Sequence, residues 1–125
     1  MIVGIGIDII EHKKIQNIYS KYGEKFLRRY FGLDEIEYSL SKPDPIPYLS
    51  ARFAAKEAVI KSLNLKKRIG LFYKDIEIKG KHFGKKELLL KGEIKRIFEE
   101  KKITKHHLSI SHSENYSIAM VILES

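Results

Sequence analysis

The sequence predicts a single α+β domain spanning residues 1–125, in which one long central helix packs on a mostly antiparallel sheet. Three observations lead there. Residues 2–10 alternate with the period of a strand, and shorter runs at 72–79, 87–90, Leu108–Ser113 and Tyr116–Leu123 read the same way. The stretch Pro47–Leu63 reads as the longest helix of the chain. Only Glu114-Asn115 separates the last two strand runs, a two-residue link that signals a hairpin and therefore antiparallel pairing.

Each element has its own warrant. In the first strand Val3, Ile5, Ile7 and Ile9 point one way, and Ile2, Gly4, Gly6, Asp8 and Ile10 the other. Two glycines thus precede Asp8 on its own face and clear side-chain bulk beside the carboxylate, as a strand does where a ligand or another backbone comes close. Residues 12–22 carry Ile15, Ile18, Tyr19 and Tyr22 as a helical stripe, with Lys13, Lys14 and Lys21 off it. Gly23 interrupts, Glu24 to Phe31 resumes helically, and Asp34 opens a short helix to about Leu40. Pro43, Pro45 and Pro47 mark a turn-rich connector. In the long helix Ala51, Ala54, Ala55 and Ala58 allow close approach, and apolar residues cover much of the circumference, which predicts a central, largely buried position. Asn64–Gly70 is a basic loop, Lys81–Lys86 a Gly-containing turn, and Glu93–Lys102 an amphipathic helix with Ile94, Ile97 and Phe98 inward.

Composition narrows the function classes. The chain is 43% hydrophobic and 32% charged, which favours a folded domain over disorder. No apolar run reaches the length of a membrane span, and the alternating N-terminus, with no basic region before it, reads as a strand instead of a signal peptide. With no cysteine, disulfides and thiolate metal sites are excluded, and the cytoplasm is the default compartment. The net charge of +8 fits a polyanionic partner (nucleic acid, phosphorylated cofactor, anionic membrane or acidic protein) or a lysine-rich proteome in which lysine is simply the surface residue.

Two carboxylates stand in apolar or small-residue settings, where charge is costly unless compensated: Asp8, and Glu57 within Arg52-Phe53-Ala54-Ala55-Lys56-Glu57-Ala58. Asp8 suits either backbone hydrogen bonds at a strand end or a metal. Two oxygen ligands completed by water and substrate phosphate is the usual manner of Mg²⁺. Glu57 and Lys61 share a helix face and form either a surface ion pair or, in a buried helix, a pair compensated by metal at Glu57 and phosphate at Lys61. His112 follows the parity of Leu108 and Ile110 and reads as a core histidine or, with Ser111 and Ser113 before a turn, as part of a phosphate site. Lys13, Lys14, Lys21, Lys25, Arg28 and Arg29 form a solvated face or a dock for an acidic partner. Asp75, Glu77 and Lys79 share the D-x-E-x-K spacing of some metal nucleases and equally suit an exposed strand face. A Mg²⁺-dependent nuclease built on those three, or a basic nucleic-acid-binding domain, is thus the alternative to be tested.

Gly4-Ile5-Gly6-Ile7-Asp8-Ile9-Ile10-Glu11, the run from Tyr48 to Lys61 and the run from Leu108 to Ala119 resemble, in order and spacing, the three motifs of the holo-acyl-carrier-protein synthase family of 4′-phosphopantetheinyl transferases. Asp75-Ile76-Glu77-Ile78 and Gly84-Lys85 also sit where that family has similar residues. The chain departs from the pattern at Ala51, where the family commonly has glycine. It departs again in the loop Asn64–Gly70, which is not glycine-rich, and in a first helix with lysines for arginines. That last change keeps charge but not bidentate geometry.

The resemblance implies a phosphopantetheinyl transferase-like fold and a reaction of fatty acid biosynthesis. A serine of the apo acyl carrier protein would attack the β-phosphate of coenzyme A, giving holo-carrier and adenosine 3′,5′-bisphosphate. It implies Asp8 and Glu57 as ligands of Mg²⁺, with Lys61 offsetting charge on the phosphates. Glu57, directly or through a metal-bound water, would take the serine proton. Arg52 and His112, with Ser111, would hold the nucleotide phosphates. Lys14, Lys21, Lys25 and Arg29 would meet the acidic carrier, with Phe26 as apolar anchor. It also implies a homotrimer with coenzyme A in clefts between subunits, and neither nucleic acid nor a membrane span.

Overall fold

Two glycines, Gly4 and Gly6, on one face of the first strand are what let the long helix lie against it. In the computed structural model, which describes residues 1–68, 70–80 and 85–125, strand β1 (Ile2–Glu11) crosses helix α4 (Ile46–Ser62). A Cβ at Gly4 would lie 1.8 Å from Ser62 O, and one at Gly6 1.9 Å from Ala58 O. Backbone oxygens of a helix cannot yield as a flexible side chain can. Gly6→Ala therefore lowers stability by roughly 3 kcal/mol, read as a shift of the urea midpoint. An unchanged midpoint would contradict this packing.

The remaining elements are α1 (His12–Tyr22), α2 (Glu24–Tyr30), α3 (Leu33–Leu40), a 3-10 turn (Tyr73–Asp75), β2 (Ile76–Lys79), β3 (Glu87–Leu90), α5 (Gly92–Glu100), β4 (Lys105–His112) and β5 (Tyr116–Glu124). All described strand pairs are antiparallel. One sheet has the order β1-β5-β4, and β2 pairs with β3. Two boundaries differ from the periodicity by three residues or more. The run at 72–79 begins as the 3-10 turn, because Asp75 N–H bonds back to Phe72 O at 3.0 Å. The strand expected from Leu108 starts three residues earlier, at Lys105, since His106 and His107 alternate in and out as Leu and Ser do after them. Residues 81–84 of the expected turn at Lys81–Lys86, including Gly84, lie outside the described residues.

Helix α4 is central, as its circumference predicts: Leu49, Ala54, Ala55, Ala58 and Val59 are fully buried beneath β1 and β5. The sequence reading missed a charged residue in the same core. The Lys56 side chain has no exposure, and its Nζ donates to Glu35 Oε1 at 2.7 Å, to Tyr73 O at 3.2 Å and to Ile76 O. Glu35 in turn accepts from the N–H groups of Gly32 (2.9 Å) and Ile78 (3.2 Å). All three protons of the ammonium and both oxygens of the carboxylate are used, which is the condition for keeping such a pair out of water. Burial pulls Lys56 below the ordinary lysine value, and Glu35 opposes that shift. The pair joins α3, α4 and the start of β2.

The other face of the β1-β5-β4 sheet is bare. Ile5, Ile7 and Ile9 are 54–61% exposed, and Met120 of β5 is cross-strand to Ile7 on the same face.

Candidate active site

The step from Gly6 to Asp8 moves two residues along β1 on the face that looks at α4, so the carboxylate stands on the side of the strand that carries the helix. Asp8 and Glu57 are both largely buried, their side chains 15% and 17% exposed. Lys61 does not pair with Glu57, the partner four residues away. Its Nζ reaches across to Asp8 Oδ1 at 2.7 Å and to Ile7 O at 3.2 Å. Glu57 instead takes Arg68 from the basic loop, Nη1 to Oε2 at 3.2 Å, and a hydrogen bond from the Tyr73 hydroxyl to Oε1. Burial first, and the Glu57 hydrogen bond second, hold the Tyr73 phenol well above its ordinary value, so it stays a donor. The structure thus pairs Lys61 with Asp8, sets Glu57 one helical turn from Lys61 on α4, and adds Arg68 and Tyr73 at Glu57, which the sequence reading did not assign. Asp8 and Glu57, both largely buried, offer hard-oxygen donors of the kind that suits Mg²⁺ completed by other oxygens. Among the described residues there is no group of three or more His, Asp or Glu that could hold a metal without such completion.

A second constellation lies around a cavity of about 290 Å³ lined by Tyr38, Tyr48, Arg52, Lys86, Ser111 and His112, among others. The core-histidine reading of His112 is overturned. β4 ends there, and its ring is exposed at the cavity. Among the described residues the buried histidine is His12, which bonds Glu114 O at 3.0 Å and Ser117 Oγ at 2.8 Å and so ties α1 to the C-terminal hairpin. Arg52 is 4% exposed, its guanidinium lies 4.5 Å from the Tyr38 ring centroid, and its Nε has no protein partner among the described residues. Burial lowers the Arg52 and Lys86 values, the latter also through repulsion from Arg52. Cations crowded at one cavity are the electrostatics of an anion site. Lys86 lies beyond any periodic signal, in the turn, so the sequence did not mark it. Arg52 lies five residues before Glu57 on α4, roughly 140° around the helix. The two constellations therefore flank α4 on different sides.

The basic helices are exposed as expected at Lys14, Lys21, Lys25 and Arg29. Phe26 is a correction. Only 3% exposed, it packs on Tyr30, Phe31 and Phe53 and forms the floor of a groove of about 460 Å³ edged by Tyr22, Lys25 and Arg29, so it cannot project as an anchor. The D-x-E-x-K reading is also corrected. Glu77 is buried, with its carboxylate 3.3 Å from where a Cβ on Gly32 would stand, Lys79 pairs with Asp34 at 3.8 Å, and Asp75 abuts Gly92. The three line one cavity, but among the described residues no group of three carboxylates or histidines gathers there, and Lys79 is drawn to Asp34.

The model of the 4′-phosphopantetheinyl transferase superfamily matches residues 4–121. The chain belongs to that superfamily. It is 46% identical to the holo-[acyl-carrier-protein] synthase of Thermodesulfovibrio yellowstonii over 98% of this chain and 99% of that one. It is 43% identical to the synthase of Leptospira biflexa over 96% and 94%. Among solved structures, the holo-[acyl-carrier-protein] synthase of Neisseria meningitidis superposes with a TM-score of 0.89 at 33% identity, covering all of both chains. That of Bacillus anthracis, solved in complex with CoA (3′,5′-ADP), superposes at 0.79 and 34%, over 100% of this chain and 98% of the other. The α+β architecture expected from the sequence is thus the transferase fold. The nuclease and nucleic-acid-binding alternatives find no support in these relatives. No helix among the described residues is long and apolar enough to cross a membrane.

Proposed function

We propose that this transferase moves the 4′-phosphopantetheine group of coenzyme A to a serine of an apo acyl carrier protein, releasing adenosine 3′,5′-bisphosphate, in fatty acid biosynthesis. The observation that carries the site assignment is the Lys61–Asp8 contact, one helical turn along α4 from Glu57, where Gly4 and Gly6 let the helix close on β1. Glu57 takes the proton of the attacking serine hydroxyl. The serine oxygen forms its bond to the β-phosphorus as the bond to the adenosine bisphosphate oxygen breaks. Lys61 offsets charge on the phosphates and on the departing bisphosphate. Asp8 and Glu57 would hold Mg²⁺, which supplies further charge neutralisation at the diphosphate. Arg52 and His112, with Ser111 and Lys86 beside them, suit the nucleotide phosphates.

Coenzyme A needs both constellations, and they flank α4 on different sides. Two copies can supply one of each to a shared cleft. The bare face of Ile5, Ile7, Ile9 and Met120 supports such an assembly, since an apolar sheet face in water is unfavourable. A homotrimer with sites between subunits is the reading adopted. Ile7→Lys should give a monomer in light scattering and lose transfer, and a wild-type protein that scatters as a monomer would sink the assembly. Lys14, Lys21, Lys25 and Arg29 suit the acidic helix of the carrier. The cytoplasm, where carrier and coenzyme A meet, is the compartment this reading requires.

Mass spectrometry of an apo carrier incubated with the protein, coenzyme A and Mg²⁺ tests the reaction. The carrier gains the mass of one phosphopantetheine, and no gain with several acyl carriers would overturn the proposal. The same assay with Lys25→Glu and Arg29→Glu combined raises the carrier KM if these residues dock it.

A further inference from the structure

Tyr73 is held at both ends. Its ring stacks on Phe53 with centroids 5.5 Å apart and planes 11° from parallel, and meets Tyr30 edge-on at 5.0 Å. Its backbone carbonyl accepts from Nζ of Lys56, which is itself fixed to Glu35 in the core. The hydroxyl therefore has little freedom, and it donates to Oε1 of Glu57. The other oxygen of Glu57, Oε2, meets Arg68, a half-exposed side chain from the loop after α4 that can swing into water. One carboxylate oxygen is thus held by a rigid neutral donor and the other by a displaceable cation.

We propose that Tyr73 is a positioning residue for the transfer reaction: its hydroxyl fixes Oε1 of Glu57 and thereby presents Oε2 to the metal and the attacking serine once Arg68 withdraws. The inference rests on Glu57 being a metal ligand. A carboxylate on an unbranched side chain has freedom to rotate, and partners that orient a ligand typically contribute 10- to 100-fold in metal affinity or activity. Packing alone asks only for an aromatic ring at this position. The hydroxyl is the part that packing does not require.

Tyr73→Phe keeps the ring and removes only the donor. Its binding of Mn²⁺ is measured by electron paramagnetic resonance with coenzyme A present and no carrier, beside wild type and Asp8→Ala. The expected result is that wild type binds, Asp8→Ala does not, and Tyr73→Phe binds about tenfold more weakly. In turnover assays the same variant lowers kcat by a similar factor at saturating Mg²⁺, with KM for coenzyme A unchanged. A purely structural tyrosine would move neither quantity, because phenylalanine fills the same space. Wild-type Mn²⁺ affinity and kcat in Tyr73→Phe, while Asp8→Ala has lost the metal, overturn the positioning role and leave the metal site standing. If Asp8→Ala binds Mn²⁺ as wild type does, the metal site and the positioning role fall together.

Discussion

Asp8→Ala and Glu57→Ala each lower Mg²⁺-dependent transfer by about 10³-fold or more, with the fold intact. The size of the effect follows from what each carboxylate does. Either change removes half of the protein's donor set for the metal, and Glu57→Ala also removes the acceptor of the serine proton. The cost in stability is small by comparison. Lys61, freed from Asp8, is already 45% exposed and rehydrates, and Arg68, freed from Glu57, is 49% exposed. Pairs with one such partner contribute on the order of 1 kcal/mol or less. The expected signature is therefore near-wild-type denaturation with almost no product, read by quantifying holo-carrier in the mass spectrum over time. Full activity in either variant would sink the assignment of both carboxylates. Asp8→Asn sharpens the result: it keeps the shape beside Gly6 and still loses the metal, because the charge is what the ion requires.

Lys56→Met has the opposite signature, a loss of stability of about 3–5 kcal/mol, measured by urea unfolding. Methionine fills the space of the lysine stem but leaves Glu35, 1% exposed at its side chain, without its cation. It also strips a donor from the carbonyls of Tyr73 and Ile76. An unpaired buried carboxylate costs more than the missing hydrogen bonds, so adding Glu35→Gln recovers a large part of the deficit. Glutamine keeps an acceptor for the N–H of Gly32 or Ile78 and carries no charge to desolvate. If the single and double variants unfold at the same urea concentration, the charge of Glu35 is not the source of the cost. Because the Tyr73 carbonyl is one of the acceptors, the single variant also disturbs the residue that touches Glu57, and its residual activity falls below what its folded fraction predicts.

The elements were legible because periodicity is a local property. The alternation of residues 2–10, the alanines of α4 and the link at Glu114-Asn115 each specify backbone conformation from neighbours in the chain, and among the described residues the boundaries move by three residues or more at the 3-10 turn of Tyr73–Asp75 and at the start of β4. The glycines beside Asp8 were equally readable, since absent side chains on one strand face demand that something lie close. Family motifs then singled out Asp8, Glu57 and Lys61 as one group.

Partners were not legible, because a long side chain chooses among all groups within reach, whatever their distance in sequence. By spacing Lys61 belonged to Glu57; in the fold β1 passes nearer, and it takes Asp8, 53 residues away. Lys56 stood between Ala55 and Glu57 with nothing to mark it as a buried charge of the core, since Glu35 lies on another helix. Phe26 and His112 exchanged their expected surroundings for the same reason: parity states which face a residue is on, and only the packed neighbours state whether that face is covered. The sequence by itself determined the strands, the helices, the two carboxylates and the glycine face on which another segment had to close. The tertiary structure alone decided which cations guard those carboxylates, which hydroxyl orients Glu57, and that the Arg52 cavity lies around α4 from them, because these are contacts between segments that local periodicity cannot bring together.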